Sequence, residues 1–133
     1  MSNALYDKGR ESFLIKQIDW VNDTIKAALV DTGTYTVDLA THQFLSDLSG
    51  IVATSPAFTT PTSTTGVADA NDLAFGDVTG VSGEALVIYQ DTGVAGTSRL
   101  IAYIDTATGL PVTPNGGPLN VTWDNGNNKI FKL

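Results

Sequence analysis

The stretch Val121–Leu133, VTWDNGNNKIFKL, crowds Asp124, Asn125, Asn127 and Asn128 around Gly126. Four oxygen-bearing side chains so close together raise the question of a bound cation. A calcium loop needs oxygen ligands at alternate positions, and the EF-hand kind places glycine sixth. Counted from Asp124, the third position is Gly126, which has no side-chain oxygen, and only Asp124 brings a full charge. Turn chemistry explains the same residues more simply. Asn-Gly between two apolar runs is a strong hairpin signal, because both central residues must take positive φ. The stretch is therefore expected to be the last hairpin, LNVTW against KIFKL. Val121, Trp123, Ile130 and Phe131 would face the core, and removing calcium would change nothing.

Other chemistry is equally short of parts. His42 is the single histidine and there is no cysteine. Zinc sites and histidine-based nucleophilic catalysis therefore lack partners, and His42 is expected at the surface or in a cap. Two carboxylate pairs, Asp69 with Asp72 and Asp77 with Glu84, have the residue types of a glycosidase. Each lies in a Gly- or Asn-rich turn, where Asp ordinarily bonds to backbone. GVSGE and PNGGP are glycine loops without the Lys-Ser/Thr ending of a phosphate loop, so they read as turns. Trp20, Phe44, Phe75, Tyr89, Tyr103, Trp123 and Phe131 have no basic neighbours to make a base-stacking platform, and core packing is their expected role. The inventory predicts a structural or binding module rather than an enzyme, with no cofactor and no metal.

The elements that carry these residues are mostly short strands. Thr24–Asp31 reads as the first strand and Gly50–Ser55 as another. EALVIYQD and RLIAYIDT are near-continuous β-formers joined by TGVAGTS. Unbroken apolar runs indicate strands covered on both faces, and the connection suits a hairpin with a wide loop. FTTPTSTT is Thr-rich and extended, and Pro61 confines it to a sheet edge or loop. GVADANDLAF is read as turn, with a strand resuming at Leu73. Two helices are expected. Ala4–Gln17 could bury Leu5, Phe13 and Leu14, weakened at Gly9 by about 1 kcal/mol relative to Ala. Thr41–Leu48 fits a short helix capped by Thr41. Strands at this spacing, punctuated by Gly, Pro and Asn, predict a mainly β chain. The expected fold is a single-domain β-sandwich, immunoglobulin-like or jelly-roll, over residues 23–133. Residues 1–22 would form an N-terminal arm and helix packed on the same domain.

Composition bounds the partners. The chain has 133 residues, enough for one core, and a folded surface of roughly 6,700 Å² is expected for that size. Its net charge is −7, with only seven Lys and Arg residues, scattered along the sequence. That disfavours nucleic acid and anionic membranes, which need concentrated positive charge. No run of 18 apolar residues indicates a membrane span, and MSNALYDKGR lacks the apolar core of a signal peptide. Twelve of the fourteen acids are Asp, which marks them as turn and cap residues rather than helix formers.

Three stretches carry a resemblance: ALYDKGRESFL with the following IDW, TIKAALVDTGTYTVDLATHQFLSDL, and LIAYIDTATGLPVTPNGGPLNVTWDNGNNKIFKL. Together they resemble a family of small virion structural proteins encoded by tailed bacteriophages and prophages. The resemblance covers nearly the whole chain and is most specific in the C-terminal third. It implies a capsid decoration or cement protein on the outer head surface of the virion, assembled in the host bacterial cytoplasm. Its partners would be the major capsid protein and further copies of itself. A standard interface of roughly 800 Å² per partner is about 12% of the expected surface. The residues expected to bind are Leu5, Tyr6 and Phe13 of the N-terminal arm and Phe58, Thr59, Thr60, Pro61 and Thr62 of the Thr-rich segment. The competing expectation is a tail or baseplate component with a carbohydrate site at Trp123.

Overall fold

Three strands with almost no polar residues form the centre: β2 (Ile25–Val30), β7 (Ala85–Gln90) and β8 (Leu100–Ile104). The computed structural model describes residues 4–105, 110, 112–114, 116–123 and 130–132. In chain order, its other elements are β1 (Ala4–Leu5), α1 (Asp7–Leu14), β3 (Ile51–Thr54), β4 (Thr62–Thr64), β5 (Val67–Asp69), β6 (Leu73–Asp77), β9 (Pro118–Val121) and β10 (Phe131–Lys132). The main sheet has the order β1-β8-β7-β2-β3, a second sheet β10-β5-β4, and a third β6-β9. Every pairing is antiparallel. Among the described residues the chain is therefore mainly β, with open sheets and one α-helix. None of its helices among the described residues is long and apolar enough to cross a membrane.

The unbroken apolar runs are explained by burial on both faces of the main sheet. Alternate side chains point to opposite faces. Ile25, Ala27, Leu29, Leu86, Ile88 and Ile101 join a core that includes Leu73, Phe75, Leu119, Val121 and Phe131 from the smaller sheets. Ala28, Val30, Val87, Tyr89 and Tyr103 meet Tyr6, Tyr35, Val37, Leu39, Leu45 and Leu48 on the other face.

Several elements differ from the sequence reading. The expected helix over Ala4–Gln17 begins only at Asp7, because Ala4 and Leu5 pair with Tyr103 and Ala102 and supply an edge to β8. At its other end, the Gln17 N–H donates to Ser12 O (2.9 Å) and the Lys16 N–H to Phe13 O (3.3 Å). These are the two bonds of a Schellman C-cap. Leu14 does not share the buried face: it is 83% exposed. The helix instead packs through Gly9 and Ser12. The residue read as a helix weakener is thus the residue that lets the helix reach the sheet. A Cβ on Gly9 would lie 2.7 Å from Leu100 O and 3.1 Å from Ile101 Cα. Both are main chain of a central strand and cannot swing aside. Gly9→Ala should therefore lower stability by about 2 kcal/mol in urea titration, overpacking of up to about 3 kcal/mol outweighing about 1 kcal/mol of helix propensity.

The helix expected over Thr41–Leu48 is only a single 3-10 turn, Leu45–Asp47. Phe44 stays extended and bridges to Arg99, while the Leu45 N–H donates to Ser98 O. Asp47 Oδ2 accepts the N–H groups of Gln43 (2.8 Å) and Phe44 (3.0 Å), so Asp47 rather than Thr41 organises the segment.

The closing hairpin is also corrected. β9 pairs with β6, Val121 opposite Leu73, whereas β10 pairs with β5, Phe131 opposite Ala68. The flanks of the Asn-Gly stretch belong to different sheets, and Asp124–Lys129 itself lies outside the described residues. The two-residue hairpin is elsewhere. Thr64 pairs with Val67 across Thr65-Gly66, whose φ values are 52° and 80°. Positive φ at both positions is the type I′ pattern. The strand Val67–Asp69 that follows falls in the stretch read as turn.

Candidate functional site: an aromatic-walled pocket beside a strand edge

Five aromatic rings from separate parts of the chain, Phe13, Trp20, Phe58, Trp123 and Phe131, meet in one cluster. Trp20 stands edge-on to Phe131 (centroids 5.1 Å apart) and to Phe58 (5.9 Å). Phe13 meets Phe131 at 6.2 Å, and Phe58 meets Trp123 at 5.7 Å. Both indoles are also tied to backbone: Trp20 Nε1 donates to Asp69 O (3.2 Å) and Trp123 Nε1 to Asn71 O (3.1 Å). Offset and edge-to-face rings of this kind fix one another's orientation and add roughly 0.5–1.5 kcal/mol per pair beyond burial.

Phe13, Trp20 and Phe131 of this cluster wall an open pocket of about 420 Å³, lined also by Lys16, Ile18 and Ser63. Apolar groups continue outward from it along the chain. Leu14 and Ile15 are 83% and 61% exposed, and Val21, itself in the lining, is 47% exposed. Backbone strain lies on the same rim. Lys16, Thr60 and Thr65 are the non-glycine residues with positive φ among those described. Lys16 lines the pocket, and Thr65 precedes Gly66, which also lines it. The left-handed conformation costs a non-glycine residue about 1–2 kcal/mol. Lys16→Gly should accordingly raise the melting free energy by about 1 kcal/mol, read by thermal denaturation. Any loss of partner binding in that variant separates the lysine's service at the pocket from its cost to the fold.

The residues expected to bind a partner divide into two groups. Phe13 and Phe58 are half-buried members of the aromatic cluster, and Pro61 is half-buried beside exposed Thr59, Thr60 and Thr62. Leu5 and Tyr6 are corrected to core residues. Leu5 lies in β1 and Tyr6 is fully buried, because the chain crosses from one face of the main sheet to the other at that point. The sequence reading missed Lys16, Ile18, Trp20 and Phe131 as pocket residues, while Ser63 lies within the Thr-rich segment Phe58–Thr65 that it expected to bind. The one available signal was Ile18 and Trp20, two large apolar residues just past a helix exit.

The remaining candidates are accounted for by local structure. The Tyr35 hydroxyl lies 2.8 Å from His42 Nδ1 and 2.8 Å from the Tyr6 hydroxyl, so the histidine ends a chain of polar groups leading into the core. Asp72 Oδ1 accepts the Trp123 N–H (3.0 Å), and Glu84 Oε1 accepts both the N–H and the hydroxyl of Thr32. The proposed sugar platform fails on exposure, since Trp123 is buried. Asp38, Asp47 and Asp91 are held below the usual carboxylate range. The Thr41 hydroxyl does this for Asp38, the Phe44 and Gln43 amides for Asp47, and Lys26 for Asp91. No protein-family model matches this chain, and no curated protein matches it.

Proposed function

We propose that this chain is a virion structural protein of a tailed bacteriophage or prophage, a decoration protein that adheres to the outer head surface. It would bind the major capsid protein, assemble with further copies of itself, and act without catalysis or cofactor. One observation carries the adhesive role: an aromatic-walled pocket opens beside an exposed strand and exposed Leu14, Ile15 and Val21. Exposed large apolar groups beside an open apolar pocket mark interaction sites on small proteins. The three resembling stretches supply the phage context. The acidic surface and scattered cations favour a protein partner over nucleic acid or an anionic membrane.

The same reading includes a two-layer sandwich. The smaller sheets contribute Ala68, Leu73, Phe75, Leu119, Val121 and Phe131 to the core on one face of the main sheet. That leaves their outer side available for the capsid.

Quantitative mass spectrometry of purified virions tests the location. Hundreds of copies per particle support the head lattice; a handful would exclude it and favour a tail component. A double variant, Leu14→Ser with Ile15→Ser, tests the surface. Both side chains are mostly exposed, so the folding stability should stay within about 0.5 kcal/mol of wild type. Uptake by capsids stripped of the protein should fall at least roughly tenfold, the equivalent of about 1.4 kcal/mol.

A further inference from the structure

The second sheet ends on β4, and its hydrogen-bond parity shows what that edge offers. Thr64 and Val67 close the two-residue loop, so they exchange backbone hydrogen bonds. Antiparallel ladders alternate, which makes Ser63 and Ala68 a non-bonded pair whose polar groups point away from each other. On the inner side, Ala68 O accepts the Ile130 N–H (3.2 Å). On the outer side, the Ser63 N–H and C=O face away from the sheet, which carries no further strand there among the described residues.

Several other edges are blunted by a register shift or by being still shorter than β4. Facing β3, the register shifts between Leu29 and Val30; β6 shifts against β9 between Phe75 and Asp77; β1 has two residues. Bulges and short length are common protections against strand addition, as are charge and proline. β4 is short and follows Pro61, but it reads Thr62-Ser63-Thr64, all exposed, with no charge, no internal proline and no register shift.

The register also fixes what an added strand would deliver. Residues directly opposite on antiparallel strands share a face. Ser63, Ala68 and Phe131 therefore form one row across β4, β5 and β10, and all three line the aromatic pocket. A strand laid against β4 places the residue opposite Ser63 at the end of that row, at the pocket mouth.

We infer that β4 takes up an extended segment of a partner protein, with a large apolar side chain opposite Ser63 entering the pocket. This deepens the adhesive reading above and rests on it. A second copy of this chain does not fit the site. Pairing two β4 strands about a two-fold axis would set Ser63 against Ser63, leaving about 420 Å³ of aromatic-walled space unfilled. It would also bring together two chains that each carry a charge of −7. The same charge favours a segment that is neutral or basic beside its apolar anchor. Main-chain bonds would supply affinity and the pocket specificity, as in other strand-addition complexes.

The test uses the full chain and a synthetic peptide of alternating Thr and Val, with a central Phe and a Lys at each end. Amide NMR titration should show it binding at least roughly tenfold tighter than its central-Ser analogue, by the anchor argument. It should also bind tighter than an analogue with Glu at both ends. The Ser63 amide should become protected from exchange. Methylating the backbone nitrogen of the central Phe should abolish binding. Equal binding of the methylated peptide, or no binding of any peptide, would overturn the inference. So would sedimentation showing a dimer whose Ser63 amide is already protected. Uptake by capsids without peptide binding would sink this inference alone. Peptide binding without capsid uptake would sink only the decoration reading.

Discussion

Trp20→Ala is expected to remove about 3–5 kcal/mol of folding stability, the range for deleting a large buried aromatic. The indole is buried, stands edge-on to two rings, and donates to Asp69 O. Its loss leaves Phe58 and Phe131 without their common neighbour and leaves the Asp69 carbonyl one donor short. Because those rings hold the second sheet to the segment after the helix, local collapse cannot refill the space cheaply. Trp20→Phe should recover most of the packing and lose about 1 kcal/mol for the missing hydrogen bond. Urea denaturation of both variants checks the ordering. A cost below about 1 kcal/mol for the alanine variant would show that the aromatic cluster is not part of the cooperative core.

Alkali is expected to unfold the protein, and its tyrosines should not titrate before it unfolds. All four tyrosines are raised above the ordinary phenol value, chiefly by burial. Tyr35 and Tyr89 are each pushed up to about 12, and Tyr6, which also bonds to Tyr35, is pushed up further. In the unfolded chain they ionise near pH 10. The folded state therefore holds protons that the unfolded state releases. The corresponding stability is complete below pH ~10 and is lost as pH rises through the folded values, at about 1.4 kcal/mol per pH unit for each tyrosine withheld. The depressed carboxylates act with the opposite sign. Their contribution is present above pH ~4 and lost as acid carries them through their lowered folded values. Stability should form a plateau between these limits. Tyrosinate absorbance and far-ultraviolet circular dichroism should change together above pH 10. An absorbance step near pH ~10 with the dichroism intact would show that the hydroxyls reach water in the native state.

Where sequence and structure agree, the physics is local or doubly determined. The central strands were legible because both faces of β2, β7 and β8 are covered, which leaves no room for polar alternation. Pro61 likewise placed the Thr-rich segment at an edge, since it cannot donate to a ladder. What was not legible depended on distant partners. Ala4 and Leu5 suit a helix as well as a strand until β8 requires an edge. Gly9 looks like a defect until Leu100 and Ile101 are set against it. Thr65-Gly66 makes the two-residue hairpin although threonine is a poor choice there, while the stronger Asn-Gly signal lies between strands of different sheets. The aromatic cluster was partly legible: Phe13 and Phe58 read as binding residues, but Trp20 and Phe131 meet in it only because the second sheet folds over the helix exit.

The pairing of β1 with β8 also sets a timetable. Ala4 faces Tyr103, so β1 waits for a strand made roughly a hundred residues later. At about 5–20 residues per second, that delay is about 5–20 s. Loop-closure entropy must be overcome before so distant a contact forms, and such topologies fold slowly. Until β1 and α1 dock, β8's outer edge and the backbone that Gly9 packs on are bare, so the chain is most open to aggregation at that stage. Folding should finish with β1, the earliest-made of these strands, closing on β8.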